Sequence, residues 1–159
     1  MSRDAIKVIA RNRKALHDYH IEERYEAGLV LRGTEIKAIR AGRVNLREGY
    51  VRPREGPCGD ELWLLDVHIG PYKPAGRHFA HEPRRPRKLL LHRREIDRLI
   101  ADVERSGHTI VPLQMYLKNG MAKLEIALAK GKSAYDKRQA IAKRDAQREV
   151  ERAMRDRGR

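Results

Sequence analysis

The chain has 159 residues, enough for one domain with a core of its own, and its 36 Lys plus Arg against 22 Asp plus Glu leave a formal charge of +14. An excess of that size, carried mainly by arginine with its bidentate fork, favours a polyanion partner and argues against a membrane-surface protein, which would need a helix with a large apolar face. The single cysteine, Cys58, excludes a disulfide framework within one chain. No stretch reaches the apolar length of a signal peptide or the ~20 residues of a spanning helix, so the expected compartment is the cytoplasm.

Residues 19 to 32 alternate with period two, Tyr19, Ile21, Tyr25, Ala27, Leu29 and Leu31 against Glu22, Arg24, Glu26, Val30 and Arg32, which predicts a half-buried strand. Gly33 and Thr34 break it and offer a helix N-cap. Ile36 and Ile39 then fall at helical spacing, and Gly42 stops the turn. Val44, Leu46 and Tyr50 predict a second strand that ends at Pro53, followed by a turn through Asp60. A third strand is expected over 61 to 69, with Trp63, Leu65, Val67 and Ile69 on one face. The stretch from Gly70 to Lys88 holds four prolines together with Arg77, Arg84, Arg85, Arg87 and Lys88, and reads as a basic loop.

A helix is predicted from Leu89 to Ser106, its core stripe made by Ile96, Leu99, Ile100 and Val103 and its end by Gly107. Asn119-Gly120 is the preferred pair for a two-residue type I′ hairpin. That turn would pair Leu117 with Ala122, Met115 with Leu124, Leu113 with Ile126 and Val111 with Leu128, all on one face. Short antiparallel strands with one helix before the closing hairpin predict a mainly β fold, a small antiparallel Greek-key barrel of the oligonucleotide-binding type with accessory helices. The last 30 residues change character: they carry 11 Lys plus Arg, 5 Asp plus Glu and only a thin stripe through Ala142, Ala146, Val150 and Met154. Such a stripe does not hold a free helix in water, so the expected division is a barrel domain at 1–129 and a basic tail at 130–159, disordered alone and helical when bound.

Residues for catalysis are hard to find. His78 and His81 form an H-x-x-H in the proline-rich loop with no helix to align them and no cysteine nearby, so neither a metal nor another cofactor is expected. No phosphate-binding glycine loop, serine elbow or carboxylate-pair motif occurs, and a binding protein rather than an enzyme is the expectation. The cations form three clusters: Arg11, Arg13 and Lys14; Lys37, Arg40 and Arg43; Arg84, Arg85, Arg87 and Lys88. Each lies at the end of an expected element, where a side chain reaches phosphate. Asn12 either reads a base edge or caps a turn. Glu26 is repelled by phosphate, so within an RNA site it would accept from base amino or imino groups; its alternative is a cross-strand salt bridge with Arg24 or Arg32 neighbours. With one Trp, one Phe and six Tyr, aromatic stacking is a minor source of affinity, which favours a structured RNA read by shape and backbone.

Glu26-Ala27-Gly28-Leu29, Leu31, Gly33 and Glu35-Ile36-Lys37 resemble the signature of the small protein B family, the SsrA-binding proteins that partner transfer-messenger RNA in bacterial ribosome rescue. Asn12-Arg13-Lys14-Ala15 with His17-Asp18-Tyr19, Arg87-Lys88-Leu89-Leu90-Leu91, and Ala129-Lys130-Gly131-Lys132 with Tyr135-Asp136-Lys137-Arg138 resemble three further blocks of that family, in the same order. The resemblance implies an oligonucleotide-binding barrel that binds the tRNA-like domain of transfer-messenger RNA as a monomer. It would work with the ribosome, at its decoding centre and mRNA path, and with the elongation factor that carries charged tRNA. On the combined reading the RNA-binding set is Asn12, Arg13, Lys14, Glu26, Gly33, Lys37, Arg40, Arg87, Lys88 and Leu89, and the ribosome-acting tail residues are Gly131, Lys132, Tyr135, Asp136, Lys137 and Arg138. The chain departs from the family pattern at Ser133, where a second lysine is common, and at Tyr135, where many members have His.

Overall fold

The computed structural model describes residues 5–72, 80–132 and 134–157. In chain order these form β1 (Ile6–Arg11), α1 (Arg13–Asp18), β2 (Tyr19–Leu29), α2 (Gly33–Arg40), β3 (Val44–Asn45), β4 (Tyr50–Gly56), β5 (Gly59–Leu65), β6 (His68–Ile69), β7 (Arg87–Leu90), α3 (Arg93–Ser106), β8 (Thr109–Lys118), β9 (Met121–Gly131) and α4 (Ala134–Arg157). The main sheet runs β1-β8-β4-β5-β7-β2-β9, and β9 returns to pair with β8, which closes six of its strands into a barrel. Every pairing is antiparallel, and β1 lies along the outside edge of β8. This is the mainly β antiparallel barrel with accessory helices that the alternating strands predict. Closure pairs every strand of the ring on both sides, β4 with β8 at one residue alone, and the short pair β3–β6 forms a separate sheet.

The interior is filled by side chains such as Leu62, Leu64, Leu99, Met115, Leu124 and Ile126, all 0 % exposed. Burial of each contributes roughly 1.5–3 kcal/mol. A smaller cluster of Ala15, Val111, Leu113, Ala127 and Ala129, flanked by Tyr19 and Ile21, lies between α1 and the sheet.

Several local expectations are corrected. The third strand buries Leu62 and Leu64 and leaves Trp63 and Leu65 half-buried, because Asp66 (φ 57) turns the chain and reverses the phase before Val67 and Ile69. The second strand does not stop at Pro53, which pairs with Leu62 within β4; β4 pairs with β8 only at Val51, so the edge beyond it tolerates a residue without an N–H. Leu89 and Leu90 belong to β7, wedged between β5 and β2 to complete the ring, and α3 begins only at Arg93. Its stripe packs through Ile96, Leu99 and Ile100, and Gly107 ends it with φ 64.

The hairpin turn is as predicted, with Asn119 (φ 52) and Gly120 (φ 81) both left-handed and Leu117 opposite Ala122, Met115 opposite Leu124. Beyond Gln114 a bulge shifts the register so that Pro112, Val111 and Ile110 face Ile126, Ala127 and Leu128. Val111 and Leu113 therefore point out toward α1, and the expected single apolar face divides in two. Strand β9 continues to Gly131, with Lys130 and Gly131 opposite His20 and Tyr19, so the expected boundary at 129/130 falls inside a paired strand. Residues 134–157 are helical, and their described side chains are exposed.

Candidate nucleic-acid interface

Asn12 lies at the junction of β1 and α1 and is 3 % exposed. Its Oδ1 accepts from the Ala15 N–H at 3.1 Å, and its Nδ2 donates to the carbonyls of Leu46 at 3.2 Å and Pro112 at 2.9 Å. Its own N–H donates to the Leu113 carbonyl at 2.7 Å, within the bulge. Both amide hydrogens are committed inside the protein, so the cap is the alternative realised, and a base edge finds no donor here. The cap tethers α1 to β8 and to the turn after β3, and it turns Arg13 and Lys14 outward, where both are exposed.

A second knot forms beneath α2. Glu35 and Arg87 are each 0 % exposed. Arg87 Nε donates to Glu35 Oε2 at 2.6 Å, Nη1 to the Val67 carbonyl at 2.7 Å and Nη2 to the Pro83 carbonyl at 3.0 Å. Arg85 Nη2 and, at 2.8 Å, the Arg32 N–H donate to the other carboxylate oxygen of Glu35. Burial alone would raise the pKa of Glu35, but these donors outweigh it and hold the carboxyl below its ordinary value. Beside them Thr34 Oγ1 meets His81 Nδ1 at 2.9 Å, and His81 Nε2 meets the Ile69 carbonyl at 2.9 Å. Both ring nitrogens of His81 are thereby engaged; His78 lies outside the described residues.

The expectation that Arg87 and Leu89 face RNA is corrected by this geometry. Leu89 is 1 % exposed in the barrel core, and Arg87 is sealed against Glu35. Charge in a basic run reads as surface until a buried partner is found, and Glu35 lies 52 positions away in sequence. The knot fastens the segment before β7 across the start of α2. On the outer side of that helix Lys37 and Arg40 remain exposed, with Lys37 Nζ 5.4 Å above the Tyr72 ring. Gly33 is exposed as well, and a Cβ there would meet nothing within 4 Å. Lys88 is half-buried and pairs with Glu61 at 3.4 Å.

Glu26 occupies the outer face of β2, its side chain 39 % exposed. Tyr116 donates its hydroxyl to Oε2 at 2.5 Å, and Lys118 Nζ lies 3.4 Å from Oε1. The Tyr116 bond is the main reason that the Glu26 pKa is lowered; partial burial opposes it, and Lys118 and Lys123 add to it. An ionised Glu26 can only accept hydrogen bonds. Directly across the strand pair stands Glu125, which takes Arg24 at 3.2 Å and Gln114 Nε2 at 3.3 Å. The salt bridge of Glu26 thus runs to Lys118 rather than to Arg24 or Arg32. Tyr116, Lys118, Lys123 and Glu125 escaped the sequence reading, although the Asn119-Gly120 turn places Tyr116 opposite Lys123 and was the signal that could have found them.

The tail residues start on the barrel. Gly131 pairs with Tyr19, the Lys132 N–H donates to the Asp18 carbonyl at 2.9 Å, and Lys132 Nζ reaches the Leu16 carbonyl at 3.5 Å. Arg138 is exposed on α4; the side chains of Tyr135, Asp136 and Lys137 lie outside the described residues.

A sequence model of the SmpB protein family matches residues 9–156. The SsrA-binding protein of Roseiflexus castenholzii is 61 % identical over 153 residues, covering 96 % of this chain and 94 % of the relative. That of Halothermothrix orenii is 54 % identical over 159 residues, covering 100 % and 99 %. Among solved structures, a chain from "tmRNA-SmpB: a journey to the center of the bacterial ribosome" superposes with a TM-score of 0.64 at 46 % identity, covering 79 % of this chain and 85 % of that one. A match that runs from β1 through α4, with relatives more than half identical along almost the whole length, places this chain in the SmpB protein family.

Proposed function

We propose that the chain binds the tRNA-like domain of transfer-messenger RNA and delivers it to stalled ribosomes for trans-translation, acting in the cytoplasm as a monomeric binding protein rather than an enzyme. The observation that carries this reading is the family match over nearly the whole chain. It is supported by a barrel whose cations at Arg13, Lys14, Lys37 and Arg40 are exposed while its buried polar side chains are paired internally. In this reading Arg13, Lys14, Lys37, Arg40 and Lys88 meet phosphate, Gly33 lets the backbone approach closely, and Glu26 accepts from a base. Asn12, Arg87 and Leu89 act from inside, by holding those groups in place.

The tail, with Gly131, Lys132, Tyr135, Asp136, Lys137 and Arg138, acts on the ribosome at its decoding centre and mRNA path. The elongation factor that carries charged tRNA is the further partner. Sequencing the RNA that co-purifies with the tagged protein tests the first half: one dominant, chemically intact species with tRNA-like ends is expected, and a spread of ribosomal RNAs and tRNAs would defeat it. The second half is tested by ending the chain after Lys132, which keeps all of β9. That protein should melt close to full length and bind the same RNA within about tenfold, because the removed cations contribute only screened phosphate contacts, yet it should fail to support tagging in a reconstituted translation assay. Normal tagging by the truncated protein would overturn the assignment of the tail.

A further inference from the structure

Arg11, Arg13, Lys14, His17, Asn45, Arg47 and Arg144 line one cleft of about 560 Å³, together with the capping Asn12. It is open between β1, α1, the residues after β3, and α4. Among the described residues Arg11, Arg13, Arg47 and Arg144 make no ion pair, and all four are exposed. Lys14 has only Glu48, at 3.8 Å, and Glu48 with Asp18 lines the neighbouring cleft rather than this one. Among the described residues no carboxylate lines this cleft, and Glu48 reaches only Lys14, from the neighbouring one. One of them, Arg144, comes from α4.

No described side chain of α4 is buried against the barrel. The helix meets the barrel alongside α1, next to the strand-end contact in which Lys132 donates to the carbonyls of Asp18 and Leu16. A guanidinium brought against four like charges in an open cleft is repelled at low ionic strength. The same arrangement becomes favourable once a chain of negative charges lies between the two sides, since guanidinium groups hold phosphate bidentately.

We infer that this cleft is a phosphodiester-backbone site shared between barrel and tail helix, in which the bound strand is the counterion that docks α4. Without a polyanion the tail leaves the barrel; with one, Arg144 closes over the strand from one side while Arg11, Arg13, Lys14 and Arg47 hold it from the other. The inference rests on the proposed reading of the residues beyond Lys132 as a tail separable from the barrel, and it makes occupancy of the barrel by RNA the signal that fixes where the tail points.

Pulsed electron-electron double resonance tests this on the full chain, with nitroxides at Arg52→Cys on β4 and Gln147→Cys on α4 in a Cys58→Ser background. The probes added are a short oligouridylate, inorganic polyphosphate and the tRNA-like domain of transfer-messenger RNA. The distance distribution should be broad in buffer and collapse to one narrow peak with either simple polyanion. For four to five phosphates neutralised on a single strand, the concentration of oligouridylate needed should rise roughly 50- to 130-fold between about 50 and 200 mM salt. Arg144→Glu should give the narrow peak with no polyanion present, because it supplies the missing negative charge, and should no longer respond to one.

A distribution that is equally narrow with and without polyanion overturns the inference, as does an Arg144→Glu chain that stays broad. If polyphosphate docks the helix and the transfer-messenger domain does not, the clamp stands and the proposed RNA partner is what fails. If neither docks it while the transfer-messenger domain still binds tightly, the clamp fails and the proposed function stands.

Discussion

Two glutamates nine positions apart in the same stretch, Glu26 and Glu35, meet opposite fates. Glu35 is sealed at 0 % exposure between Arg87, Arg85 and the Arg32 backbone, while Glu26 keeps a 39 % exposed side chain on the outer wall of the barrel, steadied by Tyr116 and Lys118. Both carboxyls are held below their ordinary pKa, for different reasons: charge-assisted bonds that overcome burial at Glu35, and chiefly one phenolic hydrogen bond at Glu26. A shifted pKa alone therefore does not mark an interface; the exposure of the group decides whether its charge serves the fold or a ligand.

The largest test of this contrast is Glu35→Ala. It leaves Arg87 charged and unpaired in the interior, so urea unfolding should show a loss of about 3–5 kcal/mol. A loss below about 1 kcal/mol would mean that water or a rearranged Arg85 replaces the carboxylate, and that the knot is less closed than its geometry implies.

The pH dependence of stability is the next largest. Because the folded pKa of Glu35 is depressed, the unfolded chain takes up its proton first as pH falls. The stabilisation is present above the unfolded value of about 4.3 and is lost as pH drops through the lower folded value. Urea midpoints measured across the acid limb should fall more steeply in the parent than in Glu35→Gln. Glu26→Gln should leave that slope nearly unchanged, since an exposed pair is worth about 0.2–1 kcal/mol. An equal flattening in both variants would erase the contrast.

The smallest effect on the fold carries the sharpest information about binding. Glu26→Gln should weaken binding to the cognate RNA while leaving non-specific RNA equally or more tightly bound, because it removes a base acceptor and a charge that repels phosphate. Competition titrations with both RNAs read the ratio. Equal strengthening for both would reduce Glu26 to a surface carboxylate paired with Lys118.

Much of this was legible in the chain. The alternation of residues 19 to 32, the stripe of α3 and the Asn119-Gly120 turn each rest on local periodicity or on backbone conformations that few residues adopt, and each recurs in the fold. The readings that failed have other causes. The inward face of β5 depends on a left-handed Asp66, the far half of the β8–β9 register on a bulge at Leu113, and the strand at Arg87–Leu90 on a vacancy between β5 and β2. The last two are fixed by partners distant in sequence, and the first by a backbone conformation that the residue type does not announce.

The candidate site divides along the same line. Its basic composition, its order of motif blocks and the residue types able to meet phosphate could be read from the chain, since charge and local pattern travel with the residues themselves. Which of those polar residues face outward could not. Asn12 and Arg87 turn inward because Leu46 and Pro112 converge on the one and Val67 and Glu35 on the other from other elements, while Leu89 is carried into the core by the place of β7 between β5 and β2. A buried hydrogen bond needs a partner at about 3 Å, and only the closed barrel brings residues 34, 52 and 100 positions apart to that distance.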